Sequence, residues 1–430
     1  MPRALVVSYP WLPLYSVGVK QVAALCRYLP AADWEPHVLT KDWTEGPSAD
    51  DNDLGMSVQA LDGLPSLANA ERLPTVRASG ALRENRWLQW QERLSPPMFR
   101  RHAEAYRGWV ESAVDTGLAT VRQFGISAVV SVCPPVSTHL VGGEIASRAG
   151  IPWVVVFADL AGFYTGPGDG RSRQRRWEDR ALARRWLRGA ARAACASPAM
   201  LAYVRDSFHI DGDVVVPAFD PDEQRLAPHR AADAPLRVVH TSRTPPDARC
   251  AAIVADALDG MLAENSALEE RLVIELVGSK IDVSGRPCER MVRSQPCVAP
   301  AEALRLQREA DVLMAFDRRG EGADRLRGPS IVFEYMNAGR PIVAVGADDT
   351  GHISQLFAET RAGDIASDAV ALVSVLHRHL DALRESGVID FRGDVSAIAK
   401  YGAPEQARRL GALVDAASSE RFGSWVRASR

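Results

Sequence analysis

Glu334 stands near the start of a helical pattern that ends at Gly339, with Pro341 opening a short apolar run behind it. A carboxylate so placed can accept two hydrogen bonds from the vicinal hydroxyls of a ribose, as acidic residues do in other nucleotide sites. A surface glutamate on an ordinary helix is the plainer alternative. Gly339 suits the helix end, because glycine adopts φ > 0 there at little cost. Gly18 lies in the turn between the first apolar run and the first helical pattern. Without a side chain it lets backbone N–H groups at a helix start approach a diphosphate or sugar, although a glycine in such a turn is often structural only. Asp159 follows the apolar run 153–157, where the carboxyl end of a buried strand would open on a cleft. It could take a proton from a nucleophile or hold it, or cap the next helix. His139 could bond a sugar or orient an incoming group, or be a packed histidine.

The elements that must position these residues follow from an alternation of strand-like apolar runs and helical patterns, which argues for α/β layers on parallel sheets. Strands are expected at 4–8, 37–40, 128–133, 153–157, 193–196 and 214–216, with a first helix marked by Val19, Val22, Ala23 and Cys26. Residues 44–85 are rich in Asp, Gly and Pro and read as irregular, with short elements at most. The stretch 217–235, with four prolines and no hydrophobic period, is the best linker. A second series begins at Leu236, with strands at 237–240, 273–277, 312–315 and 341–345. The reading is two Rossmann-like domains facing a cleft: 1–228, 229–410, and a helical tail over 411–430 that crosses back. In such sheets ligands bind beyond the carboxyl ends of the strands.

Composition narrows the class. A chain of 430 residues is too long for one ordinary core. With 47% hydrophobic and 24% charged residues it is globular, and a net charge of -3 does not favour a nucleic-acid partner. The six cysteines form no C-x-x-C pair, and Cys26, Cys133 and Cys195 sit in apolar stretches. A reducing cytoplasm fits that usage. The start lacks a signal-peptide pattern, and the longest apolar run, 151–157, is too short to span a bilayer. No acidic or His/Cys cluster suits a metal. Residues 171–192 hold nine arginines. Such a run is usually a solvated helix face, and otherwise a contact for anionic lipid or an anionic acceptor.

The segment GPSIVFEYMNAGRPIVAV at 328–345 resembles the nucleotide-sugar box of glycosyltransferases of the GT-B fold, above all family 4. CPPVSTH at 133–139 and AGIPWVVVFAD at 149–159 are similar to bacterial exopolysaccharide-type members, as are GVKQ at 18–21, RYLP at 27–30 and WEPHVLT at 34–40. The resemblance covers nearly the whole chain. It implies a nucleoside diphosphate sugar as donor and no other cofactor. It implies a glycan, a lipid-linked sugar or a secondary metabolite as acceptor, retention of configuration, and no metal. It places two cations after the first strand of the second half, and HTSR at 240–243 with Arg249 offers Arg243 and Arg249, whose guanidinium groups bind phosphate bidentately. Ser330, just before the helix of Glu334, joins Gly18, Arg243, Arg249 and Glu334 as donor-binding candidates. Asp159 and His139 are the catalytic candidates.

The pattern departs from the family at two positions. Relatives carry an acidic residue eight positions before the box glutamate, or a lysine three before it; here these positions hold Leu326 and Ile331. Arg325, Arg327 or Asp324 could supply the lost contact. An unusual donor sugar or nucleophile, a thiol included, follows as an expectation. Two alternatives stay open: a sugar-nucleotide 2-epimerase on the same fold, and a non-catalytic partner subunit. The base, the sugar, the acceptor and the oligomeric state are not written in the sequence.

Overall fold

The computed structural model describes residues 1–14, 16–44, 64–78, 109–160, 162–166, 172–223, 234–318, 326, 328, 330–348 and 350–428. Two parallel sheets organise them. The first has seven strands in the order β3-β2-β1-β4-β5-β6-β7: β1 Arg3–Val7, β2 Glu35–Lys41, β3 Thr75–Ala78, β4 Ile126–Cys133, β5 Trp153–Phe157, β6 Arg192–Cys195 and β7 Gly212–Val214. The second has six, in the order β10-β9-β8-β11-β12-β13: β8 Leu236–Thr241, β9 Leu272–Val277, β10 Val292–Gln295, β11 Val312–Phe316, β12 Ile342–Val345 and β13 Gly363–Ala366. In both, strand order reverses beside the first strand, between β1 and β4 and between β8 and β11. A crevice opens at such a switch point, at the carboxyl ends.

The helices fill the faces: α1 Val17–Tyr28, α2 Pro65–Ala70, α3 Val110–Phe124, α4 Ser137–Ala149, α5 Arg173–Trp186 and α6 Pro198–Phe208 in the first half. In the second come α7 Ala248–Glu264, α8 Pro300–Glu309, α9 Ile331–Ala338, α10 His352–Thr360, α11 Ala369–Ser386, α12 Val395–Ala399 and α13 Ala403–Ala428. Several of them start with a side-chain cap. Ser16 accepts from the Val19 N–H, Ser197 from Met200 and Asp247 from Cys250, each satisfying a donor that the first helical turn leaves open. No described helix is long and apolar enough to cross a membrane.

The expected strands are present within a few residues. β3, β10 and β13 were not foreseen. β3 lies inside the stretch read as irregular, and β10 carries half-exposed and exposed side chains, so it shows no apolar run. The boundary at residue 228 lies outside the described residues. The chain's last helix begins at Ala403, ahead of the tail expected from 411. It returns to the first sheet, where Ala407, Leu410, Leu413, Val414 and Ala417 pack in one cluster with Val6, Val130 and Val154. Trp34 Nε1 donates to Asp415 Oδ1 at 2.9 Å. Where the chain crosses between the sheets the two passages touch: Phe219 and Gly402 form a parallel bridge, and the Ala403 N–H donates to the Phe219 carbonyl at 2.8 Å.

Because α13 closes the core of the first sheet, Leu410→Ala should destabilise the protein by about 2–4 kcal/mol, as other buried leucine truncations do. Denaturant unfolding followed on both halves measures this, and a loss confined to the second half would contradict it.

Candidate functional site

Glu334 sits on the first turn of α9, with about a quarter of its side chain exposed. Lys20, on α1 of the first half, reaches across the gap between the sheets. Its ammonium lies 2.7 Å from Glu334 Oε2 and 2.9 Å from Glu223 Oε2, with the lysine 7% and Glu223 1% exposed. On the other side Gln307 of α8 donates through Nε2 to Glu334 Oε1 at 2.6 Å and to Thr241 Oγ1 at 2.8 Å. The Thr241 N–H in turn donates to the Tyr335 hydroxyl at 2.8 Å. Burial pushes the Glu334 carboxyl up, but the Lys20 charge and the two hydrogen bonds outweigh it, so the group is held below the ordinary glutamate value. It is an ionised acceptor at the seam of the two halves, fixed from both sides.

The helix of Glu334 ends as expected, with Gly339 at φ 65°. Ser330 directly precedes that helix and is half-buried; its hydroxyl makes no cap bond. Arg243 is exposed in the loop after β8. Arg249 lies in the first turn of α7, half-buried, and its Nη2 donates to the Asp317 carbonyl beyond β11 at 2.9 Å. Gly346, just past β12, has φ 80°, and a Cβ there would meet Arg249 Nη2 at 2.8 Å. The guanidinium is therefore wedged across the carboxyl ends of the second sheet. Gly18 is on α1, two residues before Lys20. A Cβ at Gly18 would meet only Ser16 Oγ at 3.6 Å, an ordinary contact, so the protein's own packing does not require glycine there. A small apolar hollow beside α9 is lined by Ala196 and Pro217 on one side and Val332, Phe333 and Leu356 on the other.

Asp159 is half-buried just past β5, and after burial its charge is the second cause that raises the Cys133 thiol at the end of neighbouring β4. It therefore stands at the carboxyl edge of the first sheet. His139 does not face the cleft, and this corrects the catalytic expectation. Its ring is wholly buried, with Phe157 at 4.9 Å and Phe163 at 5.5 Å between ring centres. Its Nδ1 shares a 2.7 Å hydrogen bond with Ser131 Oγ, which also accepts from Trp153 Nε1 at 2.8 Å. Nε2 is buried without a hydrogen-bond partner. Helical geometry explains the placement: α4 begins at Ser137, and its third residue points back at the sheet.

Burial pushes the His139 imidazole down to about 3. His240 and His379, also buried, are pushed down to about 4. A base whose folded value lies below its unfolded value of 6.5 contributes stability that is present above pH 6.5 and is lost as pH falls toward the folded value. Stability should therefore decline from pH 7 to pH 5, His139 alone accounting for about 2 kcal/mol at pH 5. Denaturation midpoints across that range should fall less steeply in His139→Gln. Parallel slopes for the two proteins would count against it.

Lys20 and Gln307, the partners of Glu334, and Glu223, which pairs with Lys20, were not singled out from the sequence. Lys20 stood inside the quoted GVKQ motif, two residues past Gly18, and that was its only signal. Gln307 and Glu223 had none, since both depend on which helices meet. At the position where relatives carry the first acid, Leu326 packs against the core of the first half, and its carbonyl accepts a short hydrogen bond from Ser197 Oγ.

Two Rossmann-like sheets with their carboxyl ends turned to one seam define the GT-B architecture, and comparison with known proteins agrees. Residues 18–218 match the family described as glycosyl transferase 4-like domain. The fold of the chain is thus that of GT-B proteins, and residues 18–218 are similar to a glycosyl transferase 4-like domain. No curated protein sequence matches it. Among solved structures it is similar to the N-terminal domain of Candida albicans trehalose-6-phosphate phosphatase (TM-score 0.60, 12% identity, 97% of each chain covered). It is also similar to sucrose-phosphate synthase from Thermosynechococcus elongatus (TM-score 0.53, 14% identity, 100% of this chain and 99% of that one). A third is HepE from Anabaena, solved with UDP and glucose (TM-score 0.54, 13% identity, 99% and 100%). At these identities the likeness establishes the fold.

Proposed function

We propose that the protein is a glycosyltransferase that moves a sugar from a nucleoside diphosphate donor to a glycan, lipid-linked or secondary-metabolite acceptor. The observation that carries this is Glu334: an ionised, hydrogen-bonded carboxylate at the start of a helix, in the seam between two sheets. A ribose diol arriving there would replace part of the Lys20 contact, and Lys20 would keep Glu223. Arg243 and Arg249 lie on the same side, at the carboxyl end of the second sheet, and would hold the diphosphate. Cations and helix N-termini stabilise charge on a departing diphosphate without a metal. Asp159 would face the acceptor from the first sheet. The nucleotide and sugar held by HepE support the donor class. Retention of configuration is part of this reading, by resemblance to family 4.

Glu334→Ala should lose about 1–3 kcal/mol of nucleoside diphosphate affinity in titration calorimetry. Arg243→Ala should weaken the diphosphate far more than the matching nucleoside. Unchanged affinity in a folded Glu334→Ala protein would remove the assignment.

Transfer should persist in chelator, and Asp159→Asn should impair turnover more than nucleotide binding. Activity abolished by chelator and restored by Mg²⁺ would show that the diphosphate needs a metal.

A second reading, a non-catalytic GT-B partner, draws on Leu326 being turned to the other domain and on Lys20 already filling the Glu334 site. Nucleotide binding without turnover across an acceptor panel would favour it. Donor consumed without any acceptor would indicate an epimerase.

A further inference from the structure

We infer that the outer face of α5, with the turn that follows it, is a docking surface for an anionic phospholipid bilayer. The inference is independent of the donor assignment. The helix carries six arginines against two acidic residues, in a chain whose net charge is -3. The structure sorts these charges by face. Asp179 is wholly buried, 3.7 Å from Arg175. Glu178 is half-buried and accepts from Gln174 at 3.1 Å. Arg176 and Arg180 are turned to the preceding loop, donating to the Gly166 carbonyl and to Thr165 Oγ1. Ala183 and Leu187 pack into the core of the first half. Arg184 is exposed but donates through Nε to the Ser207 carbonyl at 2.6 Å. Also exposed on this face and in the turn are Arg173, Gln174, Trp177, Ala181, Arg185 and Arg188.

Trp177 is 72% exposed and is the one aromatic among the large exposed hydrophobics of the described residues. At 3.6 residues per turn, Arg173, Trp177 and Arg184 fall within about 40° of one another. A single exposed apolar side chain is unremarkable, and a run of arginines is ordinarily solvated. Their coincidence on one face, with Asp179 buried and Glu178 half-buried and bonded to Gln174, is the distinguishing feature. An indole suits the boundary between headgroups and acyl chains, being apolar with one N–H to bond. Arginines around it can lay their stems on the surface and reach phosphates. A soluble polyanion without bases, such as heparin, would use the arginines and leave the indole in water. The placement also bears on access. α5 follows the loop that leaves the carboxyl end of β5, where Asp159 stands, so a bilayer seated here would lie beside the mouth of the seam.

The test is co-sedimentation of the full-length protein with vesicles of phosphatidylcholine alone and of phosphatidylcholine with phosphatidylglycerol. Binding is expected only to the anionic vesicles, and it should weaken as salt rises. Arg173→Gln with Arg185→Gln should reduce partitioning by roughly fivefold per arginine. Trp177→Ser should reduce it on the order of tenfold, from the lost apolar burial. Circular dichroism and nucleotide binding of these surface variants should match the parent. Brominated lipid should quench less fluorescence in Trp177→Phe than in the parent. Absence of binding to anionic vesicles would overturn the inference. So would partitioning unchanged in Trp177→Ser, or binding to soluble heparin alone.

Discussion

A carboxylate in the seam between two sheets must be neutralised or hydrated, and Glu334 is neutralised by a lysine from the opposite domain. Taking an ionised pair out of water is costly unless its remaining lone pairs and protons are bonded; Gln307 donates to the other oxygen of Glu334, and Glu223 gives the ammonium a second carboxylate. The same principle recurs a short way off. Asp220, wholly buried, accepts from Arg27 at 2.6 Å and from Tyr28 at 2.8 Å, both on α1, while its own carbonyl accepts from Asn337 on α9 at 3.0 Å. The contact from Asn337 crosses the same gap. Unlike apolar packing, polar contacts can be exchanged one for one with the hydroxyls and phosphates of a ligand, which suits a seam that has to admit one.

Leu326 shows the other side of that exchange. Family 4 relatives place a carboxylate at this position. Here the side chain is apolar and lies on the core of the first domain, with its carbonyl held by Ser197. Ser197 also caps α6, so one hydroxyl serves both a helix start and the contact between domains. At this position the chain has a clasp between the two halves.

How far the sequence could be read depended on whether a feature was local. Strands buried on both faces, such as β5 with Trp-Val-Val-Val-Phe, announce themselves as β-branched and aromatic runs. The box at 328–345 was legible for the same reason: the Gly339 cap and Pro341 act on their own neighbours. β10 was not, because its side chains are mostly exposed and only its backbone pairing makes it a strand. His139 was placed at the cleft from its motif, whereas the helix that starts two residues earlier turns it inward. Lys20 and Glu334 are 314 positions apart, and no local pattern could pair them.

The bridge between Phe219 and Gly402 has a thermodynamic meaning of its own. The chain leaves the first domain at one point and returns at the same point, so the whole second sheet is an excursion closed at its neck. An excursion tied at both ends has fewer unfolded conformations than a dangling tail, and that restriction changes only logarithmically with its length. The neck is held by Ala403, the first residue of the helix that completes the core of the first domain. The order gained by folding the first domain therefore lowers the conformational entropy open to the second. The two bodies are linked through the denatured state as well as across their seam.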